Sequence, residues 1–139
     1  MSGEKHILLA EDEEADIALV QLTLEEYGFQ NDEVSVVRDG AEALDYLYQR
    51  GPYQNRPTGN PGLIILDLKL PKITGIEILK RIRTEVSTKN IPVVIFSSSL
   101  HDRDREDALN NGANAYVVKP MDLAAFRDCI CSMLRLYGC

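Results

Sequence analysis

Five short apolar runs alternate with five helical patterns along the chain, and this alternation restricts the fold more than any other feature of the sequence. We predict the apolar runs as strands over residues 5–10, 33–37, 62–66, 91–96 and 115–118. Near-continuous apolar strands are typical of a parallel sheet that is buried on both faces. The strict alternation therefore predicts an α/β protein with a doubly wound parallel sheet.

The predicted helices have recognisable first and last residues. The first helix begins near Glu13 and ends before Gly28, because glycine suits a left-handed C-cap. Asp39 and Thr74 each precede a glutamate by three residues, a pattern that starts a helix, and Asp122 caps the last helix. The apolar side chains expected to face the sheet are Ile17, Val20, Leu24, Tyr27, Ala41, Leu44, Leu47, Tyr48, Ile78, Leu79, Ile82, Val86, Leu123, Phe126, Ile130, Met133 and Tyr137.

Two segments are expected to depart from this regular pattern. Residues 51–62 contain three Pro and three Gly, so we predict an irregular connection at the N-terminal edge of the sheet. A tolerated insertion and a contact with a partner are both open for it. The helix predicted over 102–110 is mostly charged, with only Ala108 and Leu109 to bury, and should be weakly held.

Length and charge exclude several classes of protein. A chain of 139 residues with 45% apolar content predicts one domain over 1–139, with no output domain. The net charge of −7 disfavours nucleic acid and anionic membrane as direct partners. No apolar run approaches the ~20 residues of a membrane span, and acidic residues directly follow the first apolar run, unlike in a signal peptide. We therefore expect a cytoplasmic protein.

The cysteines agree with a reducing compartment. Cys129, Cys131 and Cys139 are an odd number of thiols near the C-terminus. A Cys-x-Cys pair on a helix points its two thiols to different faces, which disfavours a metal site. The role of the three thiols stays open.

Chemically active side chains follow four of the five predicted strands. Glu11 and Asp12 follow the first strand, Asp67 the third, Ser97 the fourth and Lys119 the fifth. Parallel strands end at one edge of the sheet, where open α/β sheets bind their ligands. We therefore expect these five side chains to meet in one crevice.

Three carboxylates in one crevice would repel each other by about 4 kcal/mol per pair at ~4 Å and an effective dielectric near 20. A hard divalent cation removes that repulsion, and Mg²⁺ suits oxygen ligands and one or two carboxylates. Together with Lys119, the cation would neutralise a transferring phosphoryl group, which leaves Asp67 as the in-line nucleophile. Ser97 would donate its hydroxyl to a phosphoryl oxygen.

These residues together resemble the receiver domain of two-component response regulators. The resemblance rests on Glu11-Asp12, Asp67 with its Leu-Lys-Leu-Pro tail, Gly75, Ser97, and Tyr116-Val-Val-Lys119-Pro120. It covers essentially the whole chain. It implies a flavodoxin-like, doubly wound, five-stranded parallel sheet with strand order 2-1-3-4-5 and five helices. It also implies a signalling domain that assists its own phosphorylation and dephosphorylation, and not an enzyme.

The resemblance also implies roles for the acidic residues. Asp67 would accept the phosphoryl group from a sensor histidine kinase. Asp12, Asp67 and the backbone carbonyl of Lys69 would hold Mg²⁺, and Glu11 would reach the ion through water. Lys119 would pair with the phosphoryl group.

Two further roles and one peptide geometry come from the same resemblance. Ser97 would shift its hydroxyl toward the phosphoryl group, and Tyr116 would change rotamer with that shift. For Tyr116, simple packing in the core is the alternative. The family implies a cis peptide between Lys119 and Pro120, which the tertiary amide of proline makes accessible.

A narrower resemblance rests on the Pro/Gly-rich segment and on the sequence Leu66-Asp-Leu-Lys-Leu-Pro-Lys72. Both are similar to the stand-alone regulators of cyanobacterial and other bacterial phytochromes. This implies a red/far-red-sensing histidine kinase as partner, and a homodimer. Leu134, Leu136 and Tyr137, near the end of the last helix, would form the dimer surface or simply pack on the sheet.

Three other functions are compatible with parts of this pattern. A flavin or nucleotide binder needs a phosphate cradle after the first strand, where residues 11–14 are all acidic. A phosphatase with an Asp nucleophile would need a second Asp where Lys69 stands, and a cap domain. A receiver-fold scaffold that binds proteins independently of phosphorylation remains open.

Overall fold

The computed structural model describes residues 6–57 and 59–137, and a five-stranded parallel sheet forms its centre. The strands are β1 (Ile7–Ala10), β2 (Val34–Val37), β3 (Leu63–Leu66), β4 (Val93–Ser97) and β5 (Ala115–Val118). Their order across the sheet is β2-β1-β3-β4-β5, and every neighbouring pair is parallel. The predicted fold class and strand order are therefore confirmed.

Five helices cover the two faces of this sheet. They are α1 (Glu14–Tyr27), α2 (Gly40–Leu47), α3 (Gly75–Thr84), α4 (Asp102–Asn110) and α5 (Leu123–Tyr137). Helices α1 and α5 contact each other on one face, whereas α3 contacts both α2 and α4 on the other. None of the described helices combines the length and the hydropathy needed to span a bilayer.

The caps predicted from sequence form at the helix ends. Asp39 accepts a hydrogen bond from the amide of Glu42, and Thr74 accepts one from Glu77. Gly28 adopts a φ of 118°, a left-handed conformation that favours glycine, and closes α1. Because these caps depend on neighbouring residues alone, a local pattern was sufficient to predict them.

The core consists of two apolar clusters, one on each face of the sheet. Side chains alternate along β1, so that Ile7 and Leu9 join the cluster under α1 and α5, while Leu8 and Ala10 join the opposite cluster. All four residues of β3 are buried as well. This burial explains why the strands are almost continuously apolar.

Several predicted apolar contacts are wrong. Val86 is 83% exposed because α3 ends at Thr84, two residues before it. Leu123 and Tyr27, at the first and last positions of their helices, are also exposed, as is Leu109 in α4. Helix ends leave the packed face of the sheet, so a periodic pattern overestimates burial there.

Strand boundaries also differ by one or two residues from prediction. Residues 31–33 form a 3₁₀ turn, so β2 begins at Val34 and not at Glu33. Strand β4 begins at Val93 and includes Ser97, since the loop before it extends through Pro92. For β1, the predicted residue Lys5 lies outside the described residues.

The Pro/Gly-rich segment lies at the N-terminal edge of the sheet, opposite the edge where Asp67 follows β3. It contains one 3₁₀ turn, Gly51–Tyr53, where we expected no regular element. Arg56 organises the rest of it: Nε donates to the Tyr46 carbonyl at 2.7 Å, and Nη1 donates to the carbonyls of Pro57 at 2.9 Å and Gly59 at 3.1 Å.

Candidate functional site

Three carboxylates meet at the C-terminal edge of the sheet. Glu11 and Asp12 directly follow β1, and Asp67 directly follows β3, which is the neighbour of β1 in the sheet. One carboxylate oxygen from each of the three lies within 4.8 Å of the others. Glu11 and Asp67 are buried, and Asp12 is exposed. The parallel pairing of β1 with β3 brings Asp67 to the adjacent residues Glu11 and Asp12, from which it is distant in sequence.

Lys119, which directly follows β5, extends its ammonium group into this acidic cluster. Its Nζ lies 2.7 Å from Glu11 Oε1 and 3.4 Å from Asp67 Oδ2. The Lys119 side chain is only 8% exposed, and its backbone amide donates to the Ser97 carbonyl at 2.8 Å. That backbone hydrogen bond continues the β4–β5 pairing and places Lys119 at the edge of the crevice.

A fourth carboxylate, which was not among the predicted site residues, also contacts the lysine. Asp16, in the first turn of α1, accepts a hydrogen bond from Lys119 Nζ at 2.8 Å. It stands four residues after Asp12, so the start of α1 carries it to the same edge of the sheet. The four-residue spacing from Asp12 could have indicated that Asp16 belongs to the site. Acidic residues are common in the first turn of a helix, however, because they suit the helix dipole, so the spacing was not specific.

Burial controls the electrostatics of the ion pair. Removal from water raises the pKa of Glu11 to about 7, and the neighbouring Asp67 carboxylate acts in the same direction against the hydrogen bond from Lys119. Burial alone would lower the pKa of Lys119. Hydrogen bonds to Asp16 and Glu11, together with the negative charges of Asp67 and Glu11, outweigh this effect, so that the pKa of Lys119 is raised. The lysine is therefore a permanent cation in the crevice.

Ser97, at the end of β4, and Tyr116, in β5, are joined by a connected set of hydrogen bonds through Ser99. Ser97 is fully buried, and its Oγ accepts from the Ser99 amide at 3.2 Å. The Tyr116 hydroxyl donates to the Ser99 carbonyl at 3.0 Å, and the ring is buried in the core. Ser99 Oγ in turn donates to Asp104 Oδ2 of α4 at 2.5 Å. The loop between β4 and α4 thus links Ser97 to Tyr116.

The segment after Asp67 packs tightly against the start of α3. The amide of Gly75 donates to the Leu68 carbonyl at 2.9 Å, and an added Cβ at Gly75 would lie 2.4 Å from the Asp67 carbonyl oxygen. The Lys69 amide lies 3.4 Å from Asp67 Oδ1. Glycine at position 75 is therefore a steric requirement of the backbone that carries Asp67.

The Lys119–Pro120 peptide is trans, as are all peptide bonds in the described residues, so the expected cis peptide is not found. The two isomers of an X–Pro bond differ by only about 0.5–1 kcal/mol. The family resemblance, on which the cis prediction rested, was therefore insufficient to determine the isomer.

The donor set fits a hard divalent cation. Three carboxylates (Glu11, Asp16 and Asp67) contact the Lys119 ammonium, and Asp12 lies beside Glu11 and Asp67, so that negative charge is in excess. Carboxylate oxygens are the ligands that Mg²⁺ and similar ions prefer. Among them, Glu11, Asp12 and Asp67 are close enough together to hold one ion.

Comparison with known proteins agrees with this geometry. Response regulator Rcp1 of Synechocystis sp. is 40% identical over 119 residues, which are 86% of this chain and 79% of Rcp1. The crystal structure of the Mn²⁺-bound form of Rcp1 superposes with a TM-score of 0.87 at 35% identity, over 96% of this chain and 94% of that one.

Two other solved structures are similar. The phosphorylated cyanobacterial phytochrome response regulator RcpA has a TM-score of 0.86 at 36% identity, over 96% of this chain and 94% of its own. The bacteriophytochrome response regulator RtBRR has a TM-score of 0.78 at 45% identity, over 93% of this chain and 77% of its own. The model of the response regulator receiver domain matches residues 7–130. The chain therefore belongs to the receiver domain family of two-component response regulators, and it resembles the phytochrome response regulators within that family.

Proposed function

We propose that this receiver domain accepts a phosphoryl group on Asp67 from a sensor histidine kinase. The observation that carries the proposal is the position of Asp67, which is buried at the end of β3 with the Lys119 ammonium 3.4 Å from its Oδ2. Two further carboxylates lie beside it. A nucleophilic oxygen next to a permanent cation is the arrangement that in-line phosphoryl transfer requires.

In the proposed transfer, a carboxylate oxygen of Asp67 attacks the phosphorus of the kinase phosphohistidine. The new O–P bond forms as the N–P bond breaks, and the electron pair of the N–P bond remains on the imidazole nitrogen. Lys119 offsets the negative charge on the phosphoryl oxygens, and the Ser97 hydroxyl donates a hydrogen bond to one of them. The domain thereby assists its own phosphorylation and, with water as the attacking group, its dephosphorylation.

Mg²⁺ is the proposed cofactor. Asp12, Asp67 and the Lys69 backbone carbonyl would hold it, with Glu11 acting through water. When bound, the ion supplies positive charge to the phosphoryl oxygens. The mutual proximity of the three carboxylates supports this assignment, as does the Mn²⁺ bound to Rcp1, which has the same fold.

Phosphorylation is proposed to shift the population between two arrangements of the loop that follows β4. Ser97 would turn its hydroxyl toward the phosphoryl group, and would thereby disturb its contact with the Ser99 amide. Tyr116 bonds the carbonyl of the same Ser99, so its rotamer is coupled to that movement. The hydrogen-bonded connection between the two side chains supports the switch proposal.

A bacterial phytochrome is the proposed kinase, supported by the likeness to RcpA and RtBRR.

A homodimer is proposed through the exposed end of α5. Leu136 is 73% exposed there, whereas Leu134 packs in the core and is not available for such a surface.

A cytoplasmic location accords with the free thiols of Cys129 and Cys131.

The experiment that tests the function is intact mass after incubation with Mg²⁺ and acetyl phosphate. We expect one added phosphoryl group on the wild type and none on Asp67→Asn, because the amide is not a nucleophile. Asp102→Asn is the matched control, since it makes the same change at an exposed position of α4, and should be phosphorylated like the wild type.

A second donor makes the result decisive. If acetyl phosphate gives no adduct, the reaction is repeated with a phosphorylated phytochrome histidine kinase. Absence of an adduct there as well would contradict the proposal and favour a scaffold that binds proteins independently of phosphorylation. An adduct that persists in Asp67→Asn would place the acceptor on another residue.

A further inference from the structure

We infer that Asp16 is a positioning residue that restrains the Lys119 ammonium on the α1 side of the crevice and so slows phosphorylation of Asp67. The inference rests on the proposed function, because it concerns the same transfer. Asp16 would touch neither the phosphoryl group nor the reacting oxygen. Its effect would pass through Lys119 alone.

The geometry places the lysine nearer to Asp16 than to the acceptor. Lys119 Nζ lies 2.8 Å from Asp16 Oδ2 but 3.4 Å from Asp67 Oδ2. The Asp16 carboxylate is 24% exposed, so this ion pair is partly removed from water and weakly screened. It is therefore stronger than an ordinary surface pair.

Asp16 also differs from the other two partners of the lysine. Glu11 and Asp67 belong to the group of three carboxylates that lie within 4.8 Å of one another, and Asp16 does not. The Glu11 carboxylate is further held by the Glu13 amide at 3.1 Å. Asp16 is thus the partner that contacts the ammonium group without belonging to the group of three carboxylates.

An ammonium group has three N–H donors, and three carboxylates surround this one. Phosphoryl oxygens on Asp67 would need to draw the ammonium toward β3 and would compete with Asp16 for it. The negative charge of Asp16 therefore favours the unphosphorylated position of Lys119. Removing that charge should release the lysine toward the acceptor.

The test compares phosphorylation rates of Asp16→Asn, Asp16→Glu and Glu14→Gln with Mg²⁺ and acetyl phosphate, followed by intact mass. In this reaction Asp67 forms the O–P bond while the bond from phosphorus to the acetate oxygen breaks and acetate leaves with the electron pair. Glu14 is the control, because it lies in the same helical turn but pairs with Arg38 at 2.9 Å.

We expect Asp16→Asn to be phosphorylated about three- to tenfold faster than the wild type, as loss of one partly buried ion pair allows. Glu14→Gln changes the net charge equally and should stay within about twofold, since its charge is screened by solvent. Asp16→Glu restores the carboxylate and should return the rate toward that of the wild type. A rate for Asp16→Asn that equals the control or falls below the wild type would overturn the inference.

A second readout does not depend on phosphorylation. The ¹⁵N resonance of Lys119 Nζ, observed without donor, should shift in Asp16→Asn and stay unchanged in Glu14→Gln. An unchanged resonance in Asp16→Asn would refute the contact itself. If the wild type accepts no phosphoryl group while this resonance moves, the proposed function fails and the Lys119–Asp16 contact stands.

Discussion

Gly75 shows how a single residue can determine the geometry of the acceptor. Its Cα faces the backbone of Asp67 and Leu68 so closely that a Cβ would lie 2.4 Å from one carbonyl oxygen and 2.7 Å from the Leu68 Cα. Both of these neighbours are backbone atoms, which cannot rotate away as a side chain would. The first turn of α3 can therefore approach Asp67 only with glycine at this position.

We predict that Gly75→Ala lowers the free energy of unfolding by about 1–2 kcal/mol, because backbone displacement outweighs the better helix propensity of alanine. Urea denaturation followed by circular dichroism measures this change. A variant as stable as the wild type would mean that the loop after β3 can move at no cost.

At the same scale, Asp16 shows that a residue's role can depend on a partner far away in sequence. Asp16 and Lys119 are separated by 103 positions, and they meet because β1 and β5 end at the same edge of the sheet. A first-turn acidic residue needs no such partner to be explained. Its contact with the lysine became visible only in the fold.

Among the described helices, α4 has the fewest buried residues. Within it, Ala108 is the one buried residue, whereas Leu109, which we also expected to be buried, is exposed. Its first turn is held instead by the hydrogen bond between Ser99 and Asp104. Because Tyr116 bonds the Ser99 carbonyl, this contact connects α4 to the proposed switch.

We predict that Asp104→Asn speeds amide hydrogen exchange in the first turns of α4 by about tenfold, the equivalent of about 1.4 kcal/mol for one charge-assisted hydrogen bond. Mass-resolved exchange over residues 99–110 measures it. Asp102→Asn is the matched control, since it removes an equal charge from the same turn at an exposed position, and its exchange should change less. Equal acceleration in both variants would show that charge at the helix N-terminus, and not the contact with Ser99, stabilises α4.

At the scale of the whole molecule, the free energy of unfolding should depend on pH through His6. This residue directly precedes β1 and lies at the edge of the sheet opposite Asp67. Its Nε2 shares hydrogen bonds with the Tyr46 hydroxyl at 2.7 Å and with Ser35 Oγ at 2.9 Å. Burial lowers the pKa of His6, the charge of Arg56 lowers it further, and Asp32 and Glu33 oppose the shift. The neutral ring is thus favoured in the folded state.

A lowered pKa in the folded state means that the unfolded chain binds more protons below about pH 6.5. The contribution of His6 to stability is therefore present above that pH and is lost as the pH falls toward the folded-state pKa. We predict that the wild type loses stability relative to His6→Asn between about pH 7.5 and pH 5.5. Because Glu11 titrates in both proteins, the difference between their urea unfolding free energies isolates His6. A difference that is constant with pH would contradict the prediction.

The sequence by itself determined the five β-α pairs, the helix caps at Asp39, Thr74 and Gly28, and the residues that follow each strand. Those features depend on local periodicity and on the residues next to them in the chain, so a pattern could predict them. Since parallel strands end at one edge, the convergence of Glu11, Asp12, Asp67 and Lys119 also followed from the order of the elements.

Only the tertiary structure decided which contacts those side chains make. The pairing of Lys119 with Asp16, the exposure of Val86 and the trans Lys119–Pro120 peptide all depend on the tertiary context. Each involves groups distant in the chain, a helix end, or two states of similar energy. Neighbouring residues do not distinguish such alternatives, because the deciding free energy comes from packing and burial in the completed fold.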